Sequence, residues 1–323
     1  HHADLLYGLQ RLFEDRLGFE LYVTLGHEWW DAEYWKFGEV WGDDRLAQQF
    51  LVPNATYREV EPGLFLTFDP CHPERPLYGV TLERAKGWSW DVVLATVQDN
   101  QKGFAQFAQE VGARYAYHIG NTRQEVDWSL DPLALNASDS PMEGRGVHIG
   151  QEFDYQTTFR FREPERMDRI TSFVNLLPLI PESWGPLAEL SRLLPFEFKS
   201  YGHDCPDGSL TPVAAVAEQM ARSGWGYHDK PTGDGFGHII HNWASVGRPL
   251  IGHGRYYQGQ KAQVFWQDMV TCIDLDKHSV FEAGEIIRSM SPERYRAMCL
   301  AIRETLEQQY SPEDDARRVA GLL

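Results

Sequence analysis

The sequence predicts an α/β protein of two alternating halves facing a cleft, and three observations lead there. Short apolar runs alternate with amphipathic segments over residues 19–121, and the alternation starts again beyond residue 165. Residues 90–121 read as strand, helix and strand with short links, which calls for parallel pairing through a right-handed crossover. A chain of 323 residues exceeds what one hydrophobic core usually serves, so two domains are expected.

Taken in order, the elements support that reading. Leu5, Leu6, Leu9, Leu12 and Phe13 follow a helical spacing almost from the first residue. In an alternating protein a helix normally follows a strand, so a short first strand upstream of His1 is expected to be missing, with His1 and His2 as a tag remnant being the other reading. FELYVTL (19–25), PGLFLTFD, LYGVTLE and WDVVLATVQDN (90–100) read as strands. QKGFAQFAQEVG is an amphipathic helix closed by Gly112, and ARYAYHIGN (113–121) is the next strand. Residues 122–165 lose periodicity and are rich in Pro, Gly, Ser and Asp, which suits a connection between domains. Then come ITSFVNLL, ESWGPLAELSRLL, FEFKSYG, PVAAVAEQMARS and GWGYHD as strand, helix, strand, helix and strand. RPLIG is a further strand. KAQVFWQDM, TCIDLD and FEAGEIIRSM continue the alternation, and the chain ends in helices, with SPEDD capping one of them. The expected division is 1–155, 156–300 and a helical tail at 301–323 that can cross back.

Composition excludes several classes. A formal net charge of −17 repels phosphate backbones and acidic membrane surfaces. Four dispersed cysteines without a CxxC pair suggest neither a zinc knuckle nor a disulfide framework, and they read as reduced thiols of a cytoplasmic protein. No run of eighteen apolar residues predicts a membrane span.

The most informative stretch is DGFGHIIHNWASVGRPLIG, from Asp234 to Gly252. It reads as a turn emptying into a helix closed by Gly247, with Pro249 ahead of a strand. The unpaired N–H groups of a helix start carry partial positive charge and suit a phosphate. Residues Gly235, Phe236, Gly237 and His238 therefore form a candidate phosphate cradle, and an ordinary loop-to-helix junction is the plainer alternative. His238 and His241 are spaced i, i+3, not the i, i+4 of a helical zinc pair, so no metal is expected.

Here the second half resembles the donor-binding domain of GT-B glycosyltransferases of the glycogen-synthase-like group. That group carries an acid, then G-F-G, then a helix with a second acid eight positions after the first, then G-x-P and a strand. Asp234, Gly235, Phe236, Gly237, Asn242, Gly247, Pro249 and Leu250 fall in that order. WDVVLATVQDN and ARYAYHIGN are similar to two strands of the group's first domain, the second of which ends in a histidine facing the cleft. The resemblance implies two Rossmann-like domains and transfer of a sugar from a nucleotide-sugar donor to an acceptor hydroxyl, with no metal or other cofactor. Asn242 stands where the group has its second glutamate, and LLPLIPESWG lacks the Gly-Arg and Lys pair that clamps the donor diphosphate. Lys199 and Arg248, with the helix start, are the nearest substitutes.

The resemblance places Asp234 beside the transferred sugar; a turn or cap aspartate is the bland alternative. His118, at the end of a buried strand, is the candidate base, since an imidazole titrates near neutrality, with a structural histidine as the alternative. His2 and Asp4 would face the cleft from the loop after the missing strand. Gln98, Asp99 and Asn121 lie at strand ends and would orient the acceptor, whose identity (glycan, lipid, small molecule or, against the charge, DNA) is left open. Trp29, Trp30, Tyr34 and Trp35 fit a core-packed helical face better than a sugar platform. Two other functions fit the same residues: a nucleotide-sugar 2-epimerase, and a nucleotide- or glycan-binding protein that has lost catalysis.

Overall fold

The computed structural model describes residues 3–24, 56–96, 98–120, 124–231 and 233–323. The chain divides into two compact units, one made of residues 1–153 with 312–323 and the other of residues 154–311.

The first unit begins with α1 (Ala3–Gln10), which runs on as a wider π-turn over Arg11–Arg16. Strands β1 (Tyr22–Thr24), β2 (Thr56–Glu61), β3 (Leu64–Phe68) and β4 (Leu77–Val80) form a sheet in the order β1-β4-β3-β2. β1 pairs with β4 in parallel, whereas β2, β3 and β4 are joined antiparallel. PGLFLTFD and LYGVTLE thus form strands as expected, and they pair antiparallel. The short helix α2 (Leu82–Lys86) leads to β5 (Val92–Ala95), a 3₁₀ turn at Gln98–Asn100, α3 (Gln101–Val111) and β6 (Arg114–Ile119). α3 ends where expected, at Gly112, which adopts the left-handed conformation with φ 70°.

Residues 122–165 hold two further strands, β7 (Leu133–Asn136) and β8 (Gly146–His148), which corrects their reading as a connection. β5, β6, β7 and β8 make an all-parallel sheet in that order. Five of the six residues of β6 are buried, as expected of a central parallel strand covered on both faces.

The second unit carries a five-stranded parallel sheet in the order β10-β9-β11-β12-β13. Its strands are β9 (Arg169–Ser172), β10 (Glu197–Ser200), β11 (Trp225–Tyr227), β12 (Leu250–Gly252) and β13 (Cys272–Asp274). Between them run α4 (Pro181–Leu193), α5 (Val213–Ala221) and α6 (His238–Val246), followed by α7 (Val280–Ser289) and α8 (Pro292–Gln309). KAQVFWQDM forms no strand; Lys261–Phe265 is a 3₁₀ turn. Ile170, Trp225, Tyr227, Ile251 and Ile273 build the core against Leu187, Leu190 and Ile287. Each such side chain, once fully buried, stabilises the fold by roughly 1.5–3 kcal/mol relative to exposure.

The last helix, α9 (Pro312–Leu322), belongs to the first unit. Its Ala316 and Val319 pack with Leu9, Leu12, Phe13, Leu135 and Ile149. Asp315 is buried and accepts a hydrogen bond from the Gly150 N–H at 2.6 Å. Among the described residues, no helix is long and apolar enough to cross a membrane.

Candidate functional site

All five strands of the second unit run the same way, so their carboxyl ends share one edge, where ligands of such sheets collect. The peptide HDK leaves β11 at this edge, and residues 233–237 lead into α6. Gly237 is the N-cap of α6 with φ 78°, a left-handed conformation that suits glycine, and no side chain caps the helix start. The first N–H groups of a nine-residue helix lack intrahelical partners and carry partial positive charge, which suits an anion.

Asp234 is held in place by neighbours at this edge. Its carboxylate accepts a hydrogen bond from His228 Nε2 at 2.8 Å and pairs with the Lys230 ammonium. Its own N–H donates to Gln260 Oε1 at 2.8 Å. Gln260 fills the space beside Gly233, where a Cβ would stand 2.0 Å from its Nε2. Burial alone would raise the Asp234 pKa; the His228 hydrogen bond and charge, with Lys230, outweigh it and hold the carboxyl at about 2. The group is thus an anion throughout the physiological range. His228 Nδ1 is buried without a hydrogen-bond partner, so the network places the ring proton on Nε2, toward Asp234.

The other expected donor-side residues divide. Asn242 lies on α6, buried at 3 % exposure, and its Oδ1 has no hydrogen-bond partner. Phe236 is a core residue whose ring stacks on His241 at 3.8 Å, so its side chain does not face a ligand. His238 opens α6 and packs edge-on against Phe236. Burial drives the His241 pKa down to about 3 and keeps the ring neutral inside the unit, outweighing the bond of its Nδ1 to the Gly237 carbonyl, which acts the other way. Lys199 ends β10 and pairs with Asp207 at 2.9 Å.

Arg248 corrects an expectation. Its side chain is fully buried, and the guanidinium donates to the carbonyls of Ser223, Arg162, Val246, Gly247 and Ala221 at 2.6–3.2 Å. It brackets backbone segments and presents no donor to a phosphate. Burial also pulls its pKa below the usual arginine value.

In the first unit, His118 lies near the end of β6 and is buried at 1 % exposure. The following Gly120 passes close to its ring: a Cβ there would stand 3.2 Å from His118 Cε1. Gln98 Oε1 accepts from the Glu125 N–H at 3.1 Å and so ties the end of β5 to the segment after β6. His2, Asn121 and the side chains of Asp4 and Asp99 lie outside the described residues, as do Trp29, Trp30, Tyr34 and Trp35.

Sequence reasoning missed His228, Asp229, Lys230, His253 and Gln260. Asp229 is completely buried after β11, and its carboxylate receives three donors. These are the His253 N–H at 2.9 Å, His253 Nδ1 at 3.0 Å and the Tyr227 hydroxyl at 3.2 Å. The available signal was positional: two polar residues and a lysine directly after an apolar strand, and a histidine between two glycines after the next one.

No family model matches the sequence, and no curated protein matches it. Solved structures do match. HepE of Anabaena in complex with UDP is similar at 13% identity, over 74% of this chain and 79% of that one, with a TM-score of 0.56. The fold is GT-B. A glycosyltransferase from Rickettsia africae is similar over 72% of this chain and 76% of its own at 10% identity, with a TM-score of 0.55. A TarM variant of S. aureus, solved with fondaparinux, α-GlcNAc-glycerol and UDP, aligns over 99% of this chain and 96% of its own at 8% identity, TM-score 0.56.

Proposed function

We propose that this GT-B chain is a glycosyltransferase that moves a sugar from a nucleoside-diphosphate donor, UDP-linked as in the HepE and TarM complexes, to an acceptor hydroxyl. The observation that carries the reading is the Asp234 carboxylate, fixed as an anion directly before the uncapped start of α6 at the carboxyl edge of a parallel sheet. In this reading the N–H groups from Gly235 to His238 receive the diphosphate, Asp234 holds hydroxyls of the transferred sugar, and the Asn242 carbonyl accepts from the ribose. The second unit takes the donor and the first takes the acceptor, with His118 as its base and with His2, Asp4, Asp99 and Asn121 in supporting positions.

A nucleotide-binding protein without catalysis is the second reading. It is favoured by the amide of Asn242 in place of an acid and by Lys199 being engaged with Asp207. Thermal-shift titration with UDP, GDP, ADP, dTDP and their sugars, paired with a donor-hydrolysis assay, separates the two. A ligand that binds only the folded state raises the melting temperature by mass action. Stabilisation with sugar release supports the transferase, stabilisation without turnover supports the second reading, and no stabilisation by any nucleotide rejects both.

A further inference from the structure

The chain lacks the basic pair expected to clamp a diphosphate, and four cations of the second unit are engaged with the protein itself. Arg248 is enclosed by carbonyls, Lys199 is paired with Asp207, and Lys230 is paired with Asp234. Arg255 is paired with Asp276 through both its side chain and its backbone N–H. His253 stands apart from these. It follows β12 at the same carboxyl edge, and its bonds to protein are made by the backbone N–H and by Nδ1, both to Asp229.

We propose that His253, oriented by the buried Asp229, meets the diphosphate of the donor through Nε2 in place of the missing basic clamp. This rests on the donor reading given above. A carboxylate can only accept, so the Asp229 contacts place a proton on His253 Nδ1 and turn Nε2 away from Asp229. In the protonated ring both nitrogens donate, one to Asp229 and the other to a phosphate oxygen, and a charge-assisted bond of that kind is among the stronger ones.

The backbone holds the ring as firmly as the carboxylate does. A Cβ at Gly252 would stand 2.4 Å from the His228 carbonyl oxygen, and one at Gly254 would stand 3.0 Å from Asp274 Oδ2. Gly254 N–H donates to Asp274 Oδ1 at 3.0 Å. Both neighbours of His253 are therefore pressed against the ends of adjacent strands, and the imidazole projects from a fixed point. A turn that served only to join β12 to the next segment would be held by the backbone bond to Asp229. The second bond, from Nδ1 to a carboxylate with no solvent exposure, defines which ring nitrogen is left for a ligand. Asp229 acts through His253 and is a positioning residue.

The test is calorimetric titration of the full chain with UDP, with uridine titrated by NMR as the control that lacks phosphate. His253→Ala is expected to weaken UDP on the order of 10- to 100-fold, the worth of one hydrogen bond to a charged group, and to leave uridine affinity unchanged. Asp229→Asn is expected to weaken UDP in the same direction by freeing the ring. If His253→Ala does not fold, as judged by its melting profile, His253→Gln carries the test. UDP affinity within twofold of wild type in a folded His253 variant overturns the assignment. Failure of the wild-type chain to bind UDP, GDP, ADP or dTDP instead rejects the donor reading, and the assignment falls with it.

Discussion

Replacing Arg248 by alanine is expected to destabilise the second unit and to remove no ligand contact. The guanidinium makes five bonds to backbone carbonyls around the start of β12, and its side chain is fully buried. Removing one member of a buried charged network costs roughly 3–5 kcal/mol, since carbonyls lose their donors while a cavity opens. For a unit of this size, each kcal/mol lowers the melting temperature by about 2–4 °C, so a loss of about 6–20 °C is expected. Arg248→Lys should recover only part of it, because an ammonium cannot reproduce the planar fork that spans Ser223, Ala221 and Arg162. Thermal denaturation followed by far-UV circular dichroism measures the loss, and urea denaturation checks it. A variant that melts within 2 °C of wild type yet no longer binds a nucleoside diphosphate would refute the reasoning and return Arg248 to the donor site.

Three further outcomes follow from other contacts. Asp234→Asn should cost about 2 kcal/mol at neutral pH, the value of depressing a carboxyl from its usual range to about 2. Because the folded pKa is the lower one, this stability is present above about pH 4 and is lost as pH falls toward 2; the difference between wild type and variant in acid denaturation should vanish in that window. Asp315→Ala removes the acceptor of the Gly150 N–H and should destabilise the first unit by about 1–3 kcal/mol, read as a lower urea midpoint for that unit's transition. Gly112→Ala meets open space but a left-handed φ of 70°, so it should cost only about 1 kcal/mol in the same measurement, with no change in the second unit's transition.

What the sequence made legible was whatever rests on local chemistry. α3 was visible from its period and from Gly112, and α6 from Gly237 and Gly247, because a glycine in the left-handed region marks a helix end without help from distant residues. β7 and β8 were hidden because both are short and sit among Pro, Gly and Ser, and β7 is buried throughout, so no alternation betrays it. The antiparallel β2-β3-β4 ladder was not read from the sequence, since pairing direction depends on where strands meet, which periodicity does not encode. Asp234 stood out by its place before G-F-G. Its partner His228 and the Asp229–His253 pair did not, because 24 residues separate the latter two and only the β11-β12 pairing brings them together. Arg248 misled because an arginine just beyond a helix end serves equally well to grip a phosphate or to bracket carbonyls, and burial alone distinguishes them.

The return of α9 to the first unit sets an order on synthesis. Residues 154–311 are contiguous, so that unit can close on itself as soon as Ser311 clears the ribosome. The first unit, though made earlier, lacks Ala316 and Val319 until the final turn of α9 emerges, and until then Leu9, Leu12, Phe13, Leu135 and Ile149 want the apolar cover those residues supply. The half translated first is thus the half completed last, and a ribosome stalled anywhere before residue 312 would hold a nascent chain whose leading segment still exposes part of its core.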